Sequence, residues 1–419
     1  MSEPRLEAAL ILQKILEQKI FAAEAKNHLD SSEEVDLAFI NMLVQTSLRH
    51  LVYIKQVLKT FIKKKLPKDS QFGYYALILG TTEILYLNTP DYAVINSYVE
   101  ITKKHLNKYV AGFVNAVLRK VCQNKAKFQE QDTGIFFPND FRSLLNKDYG
   151  RKLCSLIEKA SIVEPKLDIT VKDGFTISNA EILPLGTYRL KNSGSPSKIL
   201  GYHEGKWWVQ DFSSALPVKL LGNLQGKKVL DLCAAPGGKT AQLLAAGAQV
   251  TAVDISSSRL KRLSENLQRL DLQAEDIICA DALEYLRNFT GAPYDIILLD
   301  APCSATGTLR RHPELVHIKK QDDITKMSAL QKQFLETAGT ALKPHGILLY
   351  CTCSLARAEG EEQISSFLQN HPEYKIITPS LPTELHELVC SQGWIRILPS
   401  HLNRYGGADG FFIAILQKE

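Results

Sequence analysis

From about residue 206 to its end, the chain alternates short apolar runs with segments of helical spacing. Ile296–Leu299 and Ile347–Tyr350 have the length and hydrophobicity of buried strands. This alternation predicts a parallel sheet with helices on both faces, a Rossmann-like α/β fold. The predicted strands are 228–233, 249–253, 276–280, 294–299 and 346–351, with helices near 239–246, 256–270, 282–289, 325–342 and 359–370, and a closing antiparallel pair at 394–398 and 411–416.

The N-terminal part of the chain has a different pattern. Apolar residues recur at helical spacing between residues 5 and about 125, with a break at 88–91, and helices are predicted near 92–106 and 110–121. Between about 128 and 205, short strands are predicted at 167–171 and 187–190, separated by turns. We therefore predict three domains: an all-α domain (1–130), a small mixed α/β linker subdomain (131–205) and the α/β domain (206–419).

Composition restricts the class of protein. Of the 419 residues, 45% are hydrophobic and 23% are charged, as in ordinary globular proteins. We find neither the basic and apolar regions of a signal peptide nor an apolar stretch long enough to span a bilayer. The eight cysteines are scattered, which favours free thiols in a reducing compartment. These features predict a cytoplasmic protein without a membrane partner, and we expect a monomer.

Positive charge is concentrated in the helical part of the chain. Residues 51–127 carry 13 Lys or Arg and 4 Asp or Glu, a net charge of +9, and include the run Lys63, Lys64 and Lys65. Such a basic helical face fits a nucleic-acid backbone. A solvated lysine-rich surface explains the charge equally well, and charge alone does not decide between the two.

A glycine-rich turn follows the first strand of the predicted α/β domain. The residues Asp231-Leu-Cys-Ala-Ala-Pro-Gly-Gly-Lys239 connect that strand to a helix whose first N–H groups are unpaired. Cys233 stands where the phosphate-binding loop of NTPases requires glycine, and the dinucleotide pattern Gly-x-Gly-x-x-Gly is absent from the sequence. The turn therefore indicates a ligand-binding loop of another class.

Three aspartates end successive predicted strands. Asp254, Asp281 and Asp300 would meet at the carboxyl edge of the sheet, where open α/β folds bind their ligands. Asp254 could accept both hydroxyl hydrogens of a ribose, and Asp281 could meet an adenine amino group. Each aspartate alone could be a helix cap. Together they suit a nucleoside cofactor without a phosphate tail, and S-adenosylmethionine fits that description.

Two cysteines also lie just beyond strand ends. Cys303 follows Asp300-Ala-Pro, and Cys353 stands in Cys351-Thr-Cys-Ser. A thiol on such a loop has no packing role, whereas Cys351 lies in the apolar strand and fits the core. Position alone does not rank Cys303 and Cys353. Zinc binding by these cysteines and His312 is disfavoured because no Cys-x-x-Cys pair supports it.

These motifs resemble the RNA 5-methylcytosine methyltransferases. The similarity is carried by 231–240, by Asp-Ala-Pro-Cys-Ser-Ala-Thr-Gly at 300–307, by Thr-Cys-Ser at 352–354, by Arg-Arg-His-Pro at 310–313 and by Asp-Gly-Phe-Phe at 409–412. Residues 90–96 and 111–119 are similar to the NusB fold, and this pairing of halves is similar to that of family members acting on small-subunit (16S) ribosomal RNA. The chain departs from the family over 140–205, which affects substrate contacts, and at 357–360, which leaves the cysteines untouched.

The resemblance implies a class I methyltransferase that uses S-adenosylmethionine and small-subunit ribosomal RNA. It implies Cys353 as the nucleophile that adds to cytosine C6, and Cys303 as the residue promoting release. Asp300 would bind the exocyclic amine and N3. The implied cofactor-binding residues are Cys233, Ala234, Ala235, Pro236, Gly237, Gly238, Lys239, Asp254, Asp281 and Asp300, and the implied RNA contacts are Arg310, Arg311, His312, Lys63, Lys64 and Lys65.

Rival interpretations remain at this point. DNA cytosine methyltransferases use the Pro-Cys cysteine as nucleophile, which makes Cys303 the rival of Cys353. Methylation of tRNA would use the same chemistry. The chain could also be a non-catalytic, antitermination-like protein that binds RNA through its helical half and has a degenerate methyltransferase half. The intact Cys303, Cys353 and 237–239 turn argue against this alternative.

Overall fold

A computed structural model describes residues 3–27, 36–63, 67–191 and 194–419, and it forms two compact units. The helical unit comprises Met1–Val163 and Leu309–Lys320, and the α/β unit comprises Glu164–Thr308 and Gln321–Glu419. The chain therefore divides after residue 163 and not at the predicted boundaries of 130 and 205. A short segment of the C-terminal half also belongs to the helical unit, which the sequence did not indicate.

The helical unit is all-α in its described residues, as predicted. Helix α4 is apolar on nearly all sides and is buried among α1, α3, α5 and α6. Its buried Glu83 accepts two hydrogen bonds from Arg5 and one from Tyr98, so that one carboxylate joins three helices. The helices are α1 (Pro4–Gln18), α2 (Ala22–Ala25), α3 (Leu37–Phe61), α4 (Gln71–Tyr86), α5 (Asp91–His105), α6 (Lys108–Gln123), α7 (Lys125–Gln131), α8 (Asn139–Ser161, interrupted at Gly150) and α13 (Leu315–Ile318).

Helix α3 corrects one expectation. With 25 residues and a mean hydropathy of 1.2 over its most apolar window, it is long and apolar enough to cross a membrane, whereas no such stretch was expected from the sequence. Half of that window is buried inside the protein, where α3 packs against α1 and α4. This burial is typical of a core helix.

The α/β unit begins with a small antiparallel sheet in the order β2-β3-β1-β4. Asp168 of β1 and Arg189 of β3 form a buried bidentate ion pair with N–O distances of 2.6 and 2.7 Å. Arg189 also donates to the carbonyls of Tyr405 and Gly407, and Asp168 accepts from the backbone N–H of Phe212. These contacts tie the small sheet to the rest of the unit. Its strands are β1 (Asp168–Val171), β2 (Ala180–Ile182), β3 (Tyr188–Leu190) and β4 (Trp207–Val209).

The main sheet has the predicted Rossmann-like character. Five parallel strands in the order β7-β6-β5-β8-β9 continue into the antiparallel β12, which also pairs with β10 and β11. Side chains alternate between two apolar layers, so that Leu348 and Leu349 lie in different clusters. The strands are β5 (Lys228–Leu232), β6 (Gln249–Asp254), β7 (Asp276–Cys279), β8 (Tyr294–Asp300), β9 (Leu342–Thr352), β10 (Tyr374–Ile376), β11 (Ile395–Ile397) and β12 (Phe411–Lys418).

Helices cover both faces of the main sheet. The cluster with Leu298 and Leu349 includes residues of α9, and the cluster with Ile297 and Leu348 includes residues of α12, α14 and α15. The carboxyl ends of β5, β6, β8 and β9 consequently meet at one edge of the unit. These helices are α9 (Phe212–Lys219), α10 (Gly238–Ala245), α11 (Ser257–Arg269), α12 (Ala282–Arg287), α14 (Gln321–Ala338) and α15 (Glu361–Asn370).

Candidate active site

The two predicted thiols lie in contact. The Sγ atoms of Cys303 and Cys353 are 3.4 Å apart, and both side chains are partly buried. Strands β8 and β9 are parallel neighbours in a register that pairs Asp300 with Cys351. Because each thiol follows its strand end by a few residues, this register brings the two loops together.

Close backbone packing holds the two loops. The N–H of Gly307 donates to the carbonyl of Cys353, and the N–H of Gly410 donates to the carbonyl of Gly307, at 2.8 and 2.7 Å. A Cβ on Gly307 would lie 2.0 Å from the Gly410 carbonyl oxygen and 2.8 Å from that of Cys353. Glycine at 307 is thus required by this close approach of the two backbones.

The environment distinguishes the two thiols. The hydrogen bond with Cys353, the burial of the thiol and the charges of Cys353 and Glu359 raise the pKa of Cys303 well above its ordinary value. Cys303 therefore keeps its proton at neutral pH and can donate it in the hydrogen bond to Cys353. Cys351 is fully buried, and burial followed by the charge of Asp300 raises its pKa well above the ordinary value. Cys351 thus belongs to the core, as its sequence position indicated.

Lys239 and Asp300 form an ion pair beside the thiols. The Nζ of Lys239 lies 2.8 Å from Oδ2 of Asp300, and the Cys351 thiol lies 3.5 Å from Oδ1. Burial opposes the charge of Lys239, but Asp300 and the thiols of Cys351 and Cys353 outweigh it and raise the pKa of Lys239 above its ordinary value. Lys239 is consequently a cation that faces both Asp300 and Cys353.

The glycine-rich turn has the backbone that its sequence predicts. Gly237 has φ 95°, and a Cβ there would lie 2.7 Å from Leu263, so this position needs glycine. The neighbouring Cys233 also has a positive φ, of 60°. Burial, followed by the charges of Asp300 and Asp254, raises the pKa of Cys233 above its ordinary value. Cys233 is therefore a neutral thiol in the wall of the turn.

Asp231 stands behind the turn and was not predicted as a site residue. Its side chain is fully buried, and one oxygen accepts from Thr240 Oγ1 at 2.6 Å. Burial raises the pKa of Asp231 to about 7, although the hydrogen bond from Thr240 opposes this shift. Its place at the start of the motif was a signal that could have been used.

The predicted ribose and adenine contacts differ in their exposure. Asp254 is only 2% exposed and accepts from the N–H groups of Ala235 and Ser256 at 3.1 and 2.9 Å, while Arg259 lies 3.6 Å away. Asp281 is exposed, and one of its oxygens caps α12 by accepting from Leu283 and Glu284. Both carboxylates thus have a structural role, and ligand binding by either one stays a prediction.

A cavity of about 330 Å³ opens beside the turn. Its wall includes Ala234, Pro236, Gly238, Lys239 and Asp300, and its volume falls in the range of small-ligand pockets. The side chain of Ile255, next to Asp254, is 68% exposed and offers an apolar surface. Ile255 was not predicted as a site residue. The carboxylates can accept hydrogen bonds from a nucleoside and attract a sulfonium cation, the apolar side chain can pack against a base, and the glycine turn leaves room for the ligand.

One buried carboxylate at the thiols was also missed. Glu359, just before α15, is fully buried and accepts a hydrogen bond from the N–H of Ser304, next to Cys303. Arg-Ala-Glu-Gly has no apolar pattern that would indicate this burial. Among the residues that the structure describes, no group of three or more His, Cys, Asp or Glu could hold a metal ion.

The predicted RNA-contacting residues differ in their exposure. Lys63 is exposed at the end of α3, whereas Lys64 and Lys65 lie outside the described residues. Arg310 and Arg311 both belong to the helical unit. Arg310 is only 1% exposed, which contradicts its predicted phosphate contact, because a buried guanidinium cannot reach a phosphate.

Arg311 and His312 stay candidates for RNA contact. Arg311 is partly exposed, and the His312 side chain is 44% exposed. The His312 ring lies 3.4 Å from Glu314 and makes an edge contact with Phe21. Both side chains can therefore still meet a ligand from solvent.

Known proteins agree with this architecture. Residues 218–417 match the family model of 16S rRNA methyltransferase RsmB/F, and residues 2–123 match the NusB family. The ribosomal RNA small subunit methyltransferase B of Pasteurella multocida is 31% identical over 100% of this chain and 96% of its own length. The chain belongs to the RsmB/F methyltransferase family. As in that family, its cofactor is S-adenosylmethionine, which the turn at 233–239 and the carboxylates near it would hold.

Solved structures share the fold. The crystal structure of PH0851 aligns with a TM-score of 0.78 at 24% identity, covering 100% of this chain and 99% of that chain. A methyltransferase homolog protein from Pyrococcus horikoshii aligns with a TM-score of 0.54 at 26% identity over 66% of this chain and 94% of its own. The RsmB/F family assignment and the fold are thus consistent.

Proposed function

We propose that this RsmB/F-family methyltransferase methylates C5 of a cytidine in small-subunit (16S) ribosomal RNA through a covalent adduct between Cys353 and C6. The observation that carries the proposal is the contact of 3.4 Å between the Cys303 and Cys353 thiols, next to the Asp300–Lys239 pair. A single thiol suffices to add to C6, but a second group must then remove the C5 hydrogen. Two thiols in contact fit that division of labour.

The protonation of the pair supports Cys353 as the nucleophile. Cys303 is the thiol whose pKa is raised well above its ordinary value, first by Cys353 and then by burial. When Cys303 donates its hydrogen to Cys353, it stabilises a thiolate on Cys353. Lys239 adds a positive charge near the same sulfur. The thiolate then adds to C6, and the electron pair of the C5–C6 double bond moves toward C5.

The cofactor supplies an electrophilic methyl group when it is bound. Asp300 can accept a hydrogen bond from the exocyclic amine of the cytosine, and Lys239 holds that carboxylate in place at 2.8 Å. The turn at 233–239 has its backbone fixed by Gly237 and orients the ligand. These residues bind and orient both partners without taking part in bond formation.

Release requires Cys303 to act as a base. The largest cause of its raised pKa is the hydrogen bond with Cys353. Once the Cys353 sulfur is bonded to C6, it no longer carries the charge that held the Cys303 proton. Cys303 then loses its proton to solvent more easily, and the resulting thiolate takes the C5 hydrogen as a proton. The electron pair of the C5–H bond forms the C5–C6 double bond again, and Cys353 leaves as a thiolate. Because the two sulfurs are in contact, Cys353 ionises first and Cys303 ionises only after Cys353 has bonded to C6.

Covalent trapping tests the assignment of the two thiols. Cys353→Ala should abolish methyl transfer and give no protein–RNA adduct on unmodified 16S ribosomal RNA. Cys303→Ala should add and transfer but stall, so a denaturation-resistant complex should accumulate on a gel. An adduct with Cys353→Ala and none with Cys303→Ala would reverse the roles, and full activity in either variant would remove that residue from the mechanism.

The same assay separates the substrates. Labelled methyl groups should appear in small ribosomal subunits or 16S ribosomal RNA and not in tRNA. Methylation of tRNA alone would support the alternative substrate, and no methylation of either RNA would support a non-catalytic RNA-binding protein. We expect the enzyme to act as a cytoplasmic monomer.

A further inference from the structure

Glu359 is a buried carboxylate that contacts both thiol-bearing loops. It is fully buried and accepts from the N–H of Ser304 at 2.8 Å and from the Ser304 hydroxyl. It also accepts from the Ser354 hydroxyl at 2.5 Å and from the Gln331 amide at 3.1 Å. Ser304 follows Cys303, and Ser354 follows Cys353, so that one side chain is bonded to the neighbour of each thiol.

Further hydrogen bonds make the connection rigid. Thr306 Oγ1 accepts from the N–H of Leu355 at 2.9 Å and lies 3.2 Å from the Ser354 hydroxyl. The carbonyl of Glu359 accepts from the Tyr350 hydroxyl at 2.8 Å. These groups are buried. Hydrogen bonds between buried groups are little weakened by water, so they restrict the arrangement of the two loops.

The donors to the Glu359 carboxylate named above are neutral. A backbone N–H, two hydroxyls and an amide satisfy its oxygens but bring no positive charge. The field of a buried carboxylate reaches its neighbours with little screening. The charge of Glu359 is accordingly one cause of the raised pKa of Cys303, after the effect of Cys353 and of burial.

We infer that Glu359 is a positioning residue with two effects: it holds the Cys303 and Cys353 loops in contact, and its negative charge opposes a second thiolate at Cys303 beside that of Cys353. The inference rests on the proposed roles of the two thiols. The hydrogen bonds from Ser304 and Ser354 to Glu359, called the tether below, support addition because Cys353 needs Cys303 as its hydrogen-bond donor. The charge delays premature ionisation of Cys303, which would place two thiolates side by side.

Two substitutions separate the two effects. Glu359→Gln keeps the shape and one acceptor oxygen but removes the charge. Ser354→Ala keeps the charge but removes the hydrogen bond to the Cys353 loop. Glu362→Gln is the matched control, because it removes an exposed carboxylate three residues further along, in α15.

Alkylation by iodoacetamide measures the charge effect without any RNA. In a Cys353→Ser background, the pH at which Cys303 is half-reactive should fall by about one unit when Glu359→Gln is added. Adding Ser354→Ala or Glu362→Gln should leave that pH unchanged. Peptide mapping of the alkylated protein identifies Cys303 among the cysteines. An unchanged profile with Glu359→Gln would overturn the charge effect, whatever the reaction catalysed.

Adduct kinetics measure the tether. In the otherwise unaltered protein, Ser354→Ala should slow formation of the RNA adduct about tenfold or more, and Glu359→Gln should move the pH dependence of adduct release to lower pH. Both variants should bind S-adenosylmethionine as the parent does, which also reports that they are folded. Normal addition with Ser354→Ala would overturn the tether. The absence of any adduct even with Cys303→Ala would instead refute the proposed function and leave the alkylation result standing.

Discussion

The ammonium of Lys239 lies 2.8 Å from one carboxylate oxygen of Asp300, at the carboxyl edge of the sheet, and the Cys351 thiol lies 3.5 Å from the other oxygen. Lys239 is 6% exposed and also lies 5.2 Å from the centre of the Phe411 ring. Asp300 comes from β8, Lys239 from α10 and Phe411 from β12, so that three elements converge on one charge pair. The pair therefore links the cofactor turn to the chemistry of the thiols.

Replacement of Lys239 should slow the addition step. Lys239→Met removes a cation that stabilises a thiolate on Cys353, so adduct formation should fall about tenfold to a hundredfold. Lys239→Arg keeps the charge and should keep most of the rate of adduct formation, and Lys228→Met, at an exposed position, is the control. An unaltered rate of adduct formation with Lys239→Met would remove Lys239 from the addition step.

Replacement of Asp254 tests the cofactor assignment. If Asp254 accepts from the ribose, Asp254→Ala should weaken S-adenosylmethionine binding by about one to two decades, measured by calorimetry. The bonds from Ala235 and Ser256 give a second possible outcome, since their loss alone would lower the melting temperature. Asp276→Ala, at the exposed start of β7, should affect neither quantity. Unchanged affinity in a folded Asp254→Ala protein would limit Asp254 to shaping the turn.

Neutralising the sequence run Lys63, Lys64 and Lys65 should change the salt dependence of RNA binding. Replacing Lys63, Lys64 and Lys65 together should weaken binding and reduce the slope of log affinity against log salt by about 0.7 for each lost phosphate contact. Turnover at saturating RNA should change little, because the run lies in the helical unit and the thiols lie in the α/β unit. Lys227→Ala, an exposed residue of the α/β unit, is the control. A constant slope would mean that the run is a solvated surface.

Two adjacent arginines should behave differently. Arg310 is 1% exposed, so Arg310→Ala should lower the free energy of unfolding by about 1–3 kcal/mol through the lost packing of a buried side chain. The slope of log RNA affinity against log salt should not change in this variant. Arg311 is partly exposed, and Arg311→Ala should act mainly on RNA affinity and leave stability within about 0.5 kcal/mol. Urea unfolding and filter binding on the same two variants decide between these effects.

The strand ends were predictable, but the long-range partners were not. Periodicity located β5, β6, β8 and β9 to within a few residues, except for the start of β9, and their carboxyl ends then had to meet. The contact of Cys303 with Cys353 follows from strand register, which the sequence does not specify. Arg310 stands in a charged run that is typical of a surface, and its burial depends on partners far along the chain. One such contact is the hydrogen bond from Arg49 to the Arg310 carbonyl, over 261 positions.

The long-range contacts of Glu359 and of the small antiparallel sheet were equally unpredictable from the sequence. A glutamate after Arg-Ala carries no local signal of burial, because its donors Ser304 and Gln331 come from other loops and helices. The strands near 168 and 189 were recognised, but their place in the α/β unit depends on the ion pair of Asp168 with Arg189. Sequence patterns therefore locate elements, and the polar contacts between distant elements decide which unit each one joins.

The buried His317 should make the stability of the helical unit depend on pH. Its Nε2 lies 2.9 Å from the carbonyl of Leu48, and burial lowers the pKa of His317 to about 4, with Lys55 and Lys19 opposing a further positive charge. A free histidine has a pKa of about 6.5. Because the folded state binds the proton less tightly than the unfolded state, the stability from neutral His317 is present above pH 6.5 and is lost as the pH falls toward 4.

The expected loss over that pH window is on the order of 3 kcal/mol, and His317→Gln should remove most of it. Glutamine keeps a donor for the Leu48 carbonyl but does not titrate, so the unfolding free energy of the variant should fall less between pH 7 and pH 4.5. His371→Gln, a change in the α/β unit, controls for the loss of a histidine as such. Identical pH dependence in the parent and His317→Gln proteins would show that His317 is protonated as readily in the folded state as in the unfolded one.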